Sequence, residues 1–133
     1  MNQNGLKKVL RVNAGFSILS GLILIVDAGM LSGLFGQAHP WIFRGIGIGL
    51  LLFAADILIT CRLPEIPRHK ALYFSLGDFG WVAGSVLLLI AAPLSTIAVA
   101  LVIGIALIVL GFGILQMKQI RRAPAQVRTE SRN

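Results

Sequence analysis

Three carboxylates and one guanidinium stand inside apolar stretches of this 133-residue chain: Asp27, Asp56, Asp78 and Arg44. "GLILIVDAGML" (Gly21 to Leu31) surrounds Asp27, "FRGIGIGLLLFAADI" holds Arg44 and Asp56, and "GDFGWVAGSVLLL" holds Asp78. Ionisable groups in such surroundings are costly, so they face a partner or the interior of a helix bundle. The chemistry open to them is narrow. A carboxylate can pair with a guanidinium, share a proton with a second carboxylate, or border a path for protons or substrates. Polar pairs inside bundles also serve simply to fix which helices touch.

Composition identifies the elements that position these groups. Hydrophobic residues make up 56% of the chain and charged residues only 13%. A soluble domain carries about a quarter charged residues. The mean hydropathy is +0.86. Four apolar runs follow one another, at about 9–35, 41–59, 71–92 and 94–117. Each reaches the roughly 20 residues a helix needs to cross a ~30 Å hydrocarbon core. Open strands are excluded because lipid cannot satisfy their backbone groups. Runs such as "GLLLFAA" lack the alternation of a β-barrel. The expected fold is an all-α, four-helix transmembrane bundle (residues 9–117). Residues 1–8 form a cytoplasmic N-terminus, and residues 118–133 a basic, disordered cytoplasmic tail. "KKVLR" before an apolar run has the form of a signal peptide, with Val26 and Ala28 flanking a cleavage point. The run continues to Phe35, so a retained span is expected.

Charge sets orientation. Of 12 Lys/Arg, 11 fall before or at the start of the first run, between the second and third, or after the fourth. The positive-inside rule then places both termini in the cytoplasm, and a cell inner (plasma) membrane is expected. The net charge of +7 is mostly this signal. The tail has no aromatic residue on which a base could stack, which argues against nucleic acid as a partner; anionic lipid headgroups suit it better.

Depth follows from the 1.5 Å helical rise. Asp27 lies about 9 Å outward of the centre of its span and Arg44 about 10 Å outward of its own. They are expected to pair. Asp56 lies about 7 Å and Asp78 about 6 Å toward the cytoplasm, with Asn13 on the same side. Asn13, Asp56 and Asp78 are expected to form a second polar layer. Arg62 and Lys70 are near enough to reach in by snorkelling instead.

Other chemistry is thin. Cys61 is the single cysteine, so no disulfide framework exists. His39 and His69 fall in loops on opposite sides, and no metal or cofactor is expected. No nucleophile has a base beside it, and an enzyme is not expected. "GMLSG", "GIGIG" and "GWVAG" each place glycines four apart, a spacing that lets membrane helices approach closely. Trp41 and Tyr73 stand where interfacial anchors belong, and Trp81 where it would pack between helices.

The chain also reads as two tandem hairpins. "NAGFSILSGLILI" (Asn13–Ile25) aligned with "DFGWVAGSVLLLI" (Asp78–Ile90) gives five identities in thirteen, and sets Asn13 against Asp78. Such a parallel repeat has its pseudo-two-fold along the membrane normal. The stretches "NAGFSILSG", "FRGIGIGLLLFAADI" and "GDFGWVAGSVLLL" resemble small bacterial four-span membrane proteins of unknown function, over roughly Val12 to Gln116. The resemblance implies a four-helix fold in a bacterial inner membrane and no particular activity. The expected function is a non-enzymatic scaffold or accessory subunit, working through self-association or a membrane partner. The alternative is a small transporter or proton-coupled channel that uses the intramembrane Asp and Arg residues.

Overall fold

The computed structural model describes residues 2–121. It contains five helices: α1 (Gln3–Val26), α2 (Ala28–Leu34), α3 (Pro40–Cys61), α4 (Arg68–Ala91) and α5 (Thr96–Arg121). All but the seven-residue α2 are long and apolar enough to cross a membrane, as expected of a multi-pass membrane protein. The start of α1, the α3–α4 loop and the end of α5 gather at one end, here the basic end. The α2–α3 and α4–α5 loops form the neutral end.

Helix boundaries have local causes. Asn2 caps α1, its side chain accepting from the Gly5 N–H. Pro40 occupies the first turn of α3, where a missing N–H costs nothing. Ala92 precedes Pro93 and is driven to φ −109°, ψ 144°, which ends α4. Two expected boundaries need correction. The first span is interrupted at Asp27, whose ψ of 22° departs from helical values, so α2 is a separate segment. The helices also extend past the apolar runs: α1 begins at Gln3, and Lys118–Arg121 belong to α5 rather than to a disordered tail. Apolarity marks the hydrocarbon layer, whereas helix hydrogen bonding continues into the polar flank. The remaining tail, 122–133, lies outside the described residues.

The principal packings are α1 on α3 and α4 on α5, two antiparallel hairpins, with α5 also against α1. The closest backbone approach is between Gly21 of α1 and Gly47 of α3. A Cβ on Gly21 would lie 2.8 Å from the Gly47 carbonyl oxygen, and one on Gly47 would lie 2.6 Å from that of Gly21. α3 and α4 meet mainly through long side chains, such as the Phe53 ring packed edge-on against Phe74 at 5.6 Å. The main core sits toward the basic end and includes Leu6, Leu10, Ile57, Ile66, Phe74 and Ile120. A smaller cluster of Ala28, Leu31 and Phe43 lies toward the neutral end.

The loops tie the ends together. Gln3 donates to the Ile66 carbonyl at 3.3 Å and accepts from the Ile66 N–H at 2.7 Å. Lys7 donates to the carbonyls of Leu63 (2.7 Å) and Pro64 (3.1 Å). At the neutral end, Gly36 takes φ +70°, a conformation natural to glycine, and lies against Pro93. There the Ser95 hydroxyl donates to the Leu34 carbonyl at 3.0 Å, joining the two hairpins.

Candidate functional site

A polar cluster is buried between α1, α4 and α5. Asn13 lies ten residues into α1 and Asp78 ten residues into α4. Each is therefore about 15 Å from the basic end of its helix. Gln116 lies in the last turns of α5 and reaches the same level from the opposite chain direction. Asn13 is 1%, Asp78 4% and Gln116 0% exposed. Both side-chain amides donate to one oxygen, Asp78 Oδ2: Asn13 Nδ2 at 2.8 Å and Gln116 Nε2 at 2.5 Å. Ser17, one turn after Asn13, donates to Asn13 Oδ1 at 3.4 Å. Donors on a carboxylate make charge-assisted bonds, stronger than those between neutral groups. One carboxylate thus joins helices from both hairpins.

Two oxygens in this region lack partners. Gln116 Oε1 and Ser75 Oγ are buried without a hydrogen bond, and Ser75 sits one turn before Asp78. Among the described residues no Lys or Arg pairs with Asp78; the single ion pair is Lys70 with Asp56. The cluster can hold helices in register. Its spare acceptors can also take a donor hydrogen.

Asp56 does not join this layer, although its depth matches. Lys70 Nζ donates to Asp56 Oδ1 at 2.8 Å and Oδ2 at 3.0 Å. Lys70 also lies 5.8 Å from the Tyr73 ring centroid and 5.7 Å from that of Phe74. The carboxylate faces the first turn of α4, where a lysine stem can follow the aromatic surface and bring its ammonium to the acid. This is the snorkelling alternative, and it replaces a shared-proton pair of Asp56 with Asp78.

Asp27 and Arg44 do not form an ion pair. Positions 21, 24, 25 and 28 make the stripe of α1 and α2 that faces α3, with Gly47 against Gly21, Leu24 and Ile25. Asp27 falls off that stripe, half-buried at the helix break, and Arg44 is exposed beside the buried Phe43. Equal depth on adjacent helices does not imply facing sides. Trp41 and Tyr73 are exposed and Trp81 is half-buried.

Sequence reasoning missed Gln116, because it is uncharged and the fourth apolar run carries no charge to mark it. The available signal was an uncharged amide: a glutamine before Lys118 in an otherwise apolar run. The glycine motifs also resolve unexpectedly. In "GIGIG" only the middle residue, Gly47, faces another helix. No atom from elsewhere in the chain lies within 4 Å of where a Cβ would stand on Gly29, Gly33, Gly45, Gly49, Gly80 or Gly84. All six are exposed.

Compared with known proteins, the chain matches no family model, no curated protein and no solved structure.

Proposed function

We propose that the protein is a non-enzymatic scaffold or accessory subunit of a membrane assembly, set in a bacterial inner membrane with both termini in the cytoplasm. One observation carries this reading. The glycine pairs 29/33, 45/49 and 80/84 all face away from the rest of the chain. In lipid the hydrophobic effect does not drive helices together, and association relies on close van der Waals approach at small residues. The chain fills its own closest contact with Gly21 and Gly47, which leaves these pairs for another helix. Orientation rests on the concentration of Lys and Arg at the basic end, and the membrane on the resemblance to small bacterial four-span proteins. The test is extraction from native membranes in mild detergent, followed by mass determination. A defined oligomer or a stoichiometric partner is expected, weakened by Gly45→Leu with Gly49→Leu or by the equivalent change at Gly80 and Gly84. A monodisperse monomer with no partner would sink the proposal.

A second reading is a small transporter or proton-coupled channel. It is favoured by Asp78, a buried carboxylate held by two amides with unpartnered oxygens nearby. Flux in proteoliposomes that Asp78→Asn abolishes would establish it; wild-type protein that carries no proton or solute flux removes it for the solutes tried.

A further inference from the structure

At the basic end, a groove of about 600 Å³ opens between α4 and α5. Phe79, Ile114 and Met117 line it, and Lys118 and Arg121 stand at its rim. It is an open groove on the membrane-facing surface rather than an enclosed cavity. The shape has a local cause. Gly113 has no side chain, so the Phe79 ring lies where a Cβ would be, 2.9 Å from that position. The ring forms the floor, and the next turn of α5 forms a wall. Lys118 and Arg121 are three residues apart in the last turn of α5 and so share one helix face. Ile114 lies about 10 Å further along the axis from Arg121.

The groove is therefore amphipathic along the membrane normal. Its floor and wall are apolar at hydrocarbon depth, and its mouth carries two cations where headgroups lie. Neither cation pairs with an acidic side chain among the described residues. Basic pockets between helices at this level suit anionic headgroups. We propose that this groove binds one anionic phospholipid, its phosphate on Lys118 and Arg121 and an acyl chain along Ile114 and Phe79. A lipid fits better than a protein helix: the walls offer no hydrogen-bonding group below the rim, and the two charges sit together at one end instead of along the groove.

The experiment uses the purified full chain in mild detergent, with phosphatidylglycerol and phosphatidylcholine of identical acyl chains competing at equal concentration. Bound lipid is counted by native mass spectrometry. Each basic residue near a headgroup gives roughly a factor of five, so wild type should retain the anionic lipid with about 30-fold preference. Lys118→Gln with Arg121→Gln should bring that preference near parity. Lys8→Gln with Arg62→Gln removes equal charge from exposed positions outside the groove and should leave it unchanged. Ile114→Trp keeps both cations, fills the groove, and should abolish retention. Equal retention of the two lipids by wild type overturns the proposal. So does an equal loss in the Lys8/Arg62 variant, which would reduce the effect to net charge, or undiminished preference in Ile114→Trp. A stoichiometric acidic protein bound in place of lipid, and lost with Lys118→Gln and Arg121→Gln, would assign the groove to a partner helix instead.

Discussion

At the basic end of the bundle, side chains from four helices interlock; at the neutral end, loop contacts tie the two hairpins together. The basic half holds Leu6, Leu10, Ile57, Ile66, Phe74 and Ile120 almost fully buried. It also holds the Asn13–Asp78–Gln116 cluster and the Lys70–Asp56 pair. In the neutral half, α4 and α5 present Leu87, Ile90, Ile97 and Leu107 at 61–78% exposure. The Ala28, Leu31 and Phe43 cluster secures the first hairpin there, and a loop contact at Ser95 joins it to the second. The contrast follows from the solvent. Lipid is as apolar as leucine, so aliphatic side chains alone give helices little reason to meet. Helices hold where backbones come close, where polar groups need one another, or where loops tie them. Polar bonds and the larger packed core mark the basic half. The Gly21–Gly47 approach lies nearer the neutral ends of α1 and α3, and the exposed aliphatic faces of α4 and α5 are left for lipid or another chain.

Substitutions can break this contrast or sharpen it. The largest effect is expected at the waist. Gly47→Val places methyl groups against the Gly21 backbone, which cannot yield without parting α1 from α3, and should destabilise by about 3 kcal/mol, the upper part of the overpacking range. Gly45→Val, two residues away on the opposite face, should change stability by less than about 0.5 kcal/mol. Denaturation by sodium dodecyl sulfate in mixed micelles measures both, and equal losses would refute the assignment of faces. Next is Asp78→Ala, which strands the amide donors of Asn13 and Gln116. A loss of about 2 kcal/mol is expected, whereas a loss near zero would mean that the cluster does not join the hairpins.

Smaller effects test the rims. Lys70→Met removes an ion pair whose members are 36% and 35% exposed. The lysine carries the exposed side of the pair toward the headgroup layer, where screening is partial, so about 1 kcal/mol is expected, shrinking as salt rises. A loss as large as that of Asp78→Ala would show the pair to be far better shielded than its exposure suggests. The smallest effect is at the neutral half. A double-mutant cycle of Asp27→Asn and Arg44→Gln should give a coupling below about 0.5 kcal/mol. Coupling above 1 kcal/mol would restore the pair that depth alone suggests.

Much of the fold was legible in the amino-acid order. Apolar runs of spanning length located the four long helices. Residue number times helical rise placed Asn13 and Asp78 on the same side of the membrane, in one expected polar layer with Asn13 nearer the interface, and the internal repeat set the same two residues in register. They hydrogen-bond at 2.8 Å. Residues equivalent under a two-fold can touch only near the axis that relates them, so this contact lies where such an axis would run.

The same arithmetic paired Asp27 with Arg44 and grouped Asp56 with Asp78, and neither contact forms. Sequence by itself determined length, hydrophobicity and depth, because these depend on one coordinate, the distance along a helix of fixed rise. Tertiary structure decided which side of each helix faces which neighbour. That second coordinate is set by the closest available backbone approach. With Gly21 against Gly47, α1 and α3 are rotated so that Arg44 points outward and Asp27 lies off the shared stripe. Once the Phe79 ring settled on Gly113, α5 was turned to bring Gln116 to Asp78. No charge in the fourth span announced that bond; only the packing of four helices brought the amide to the acid.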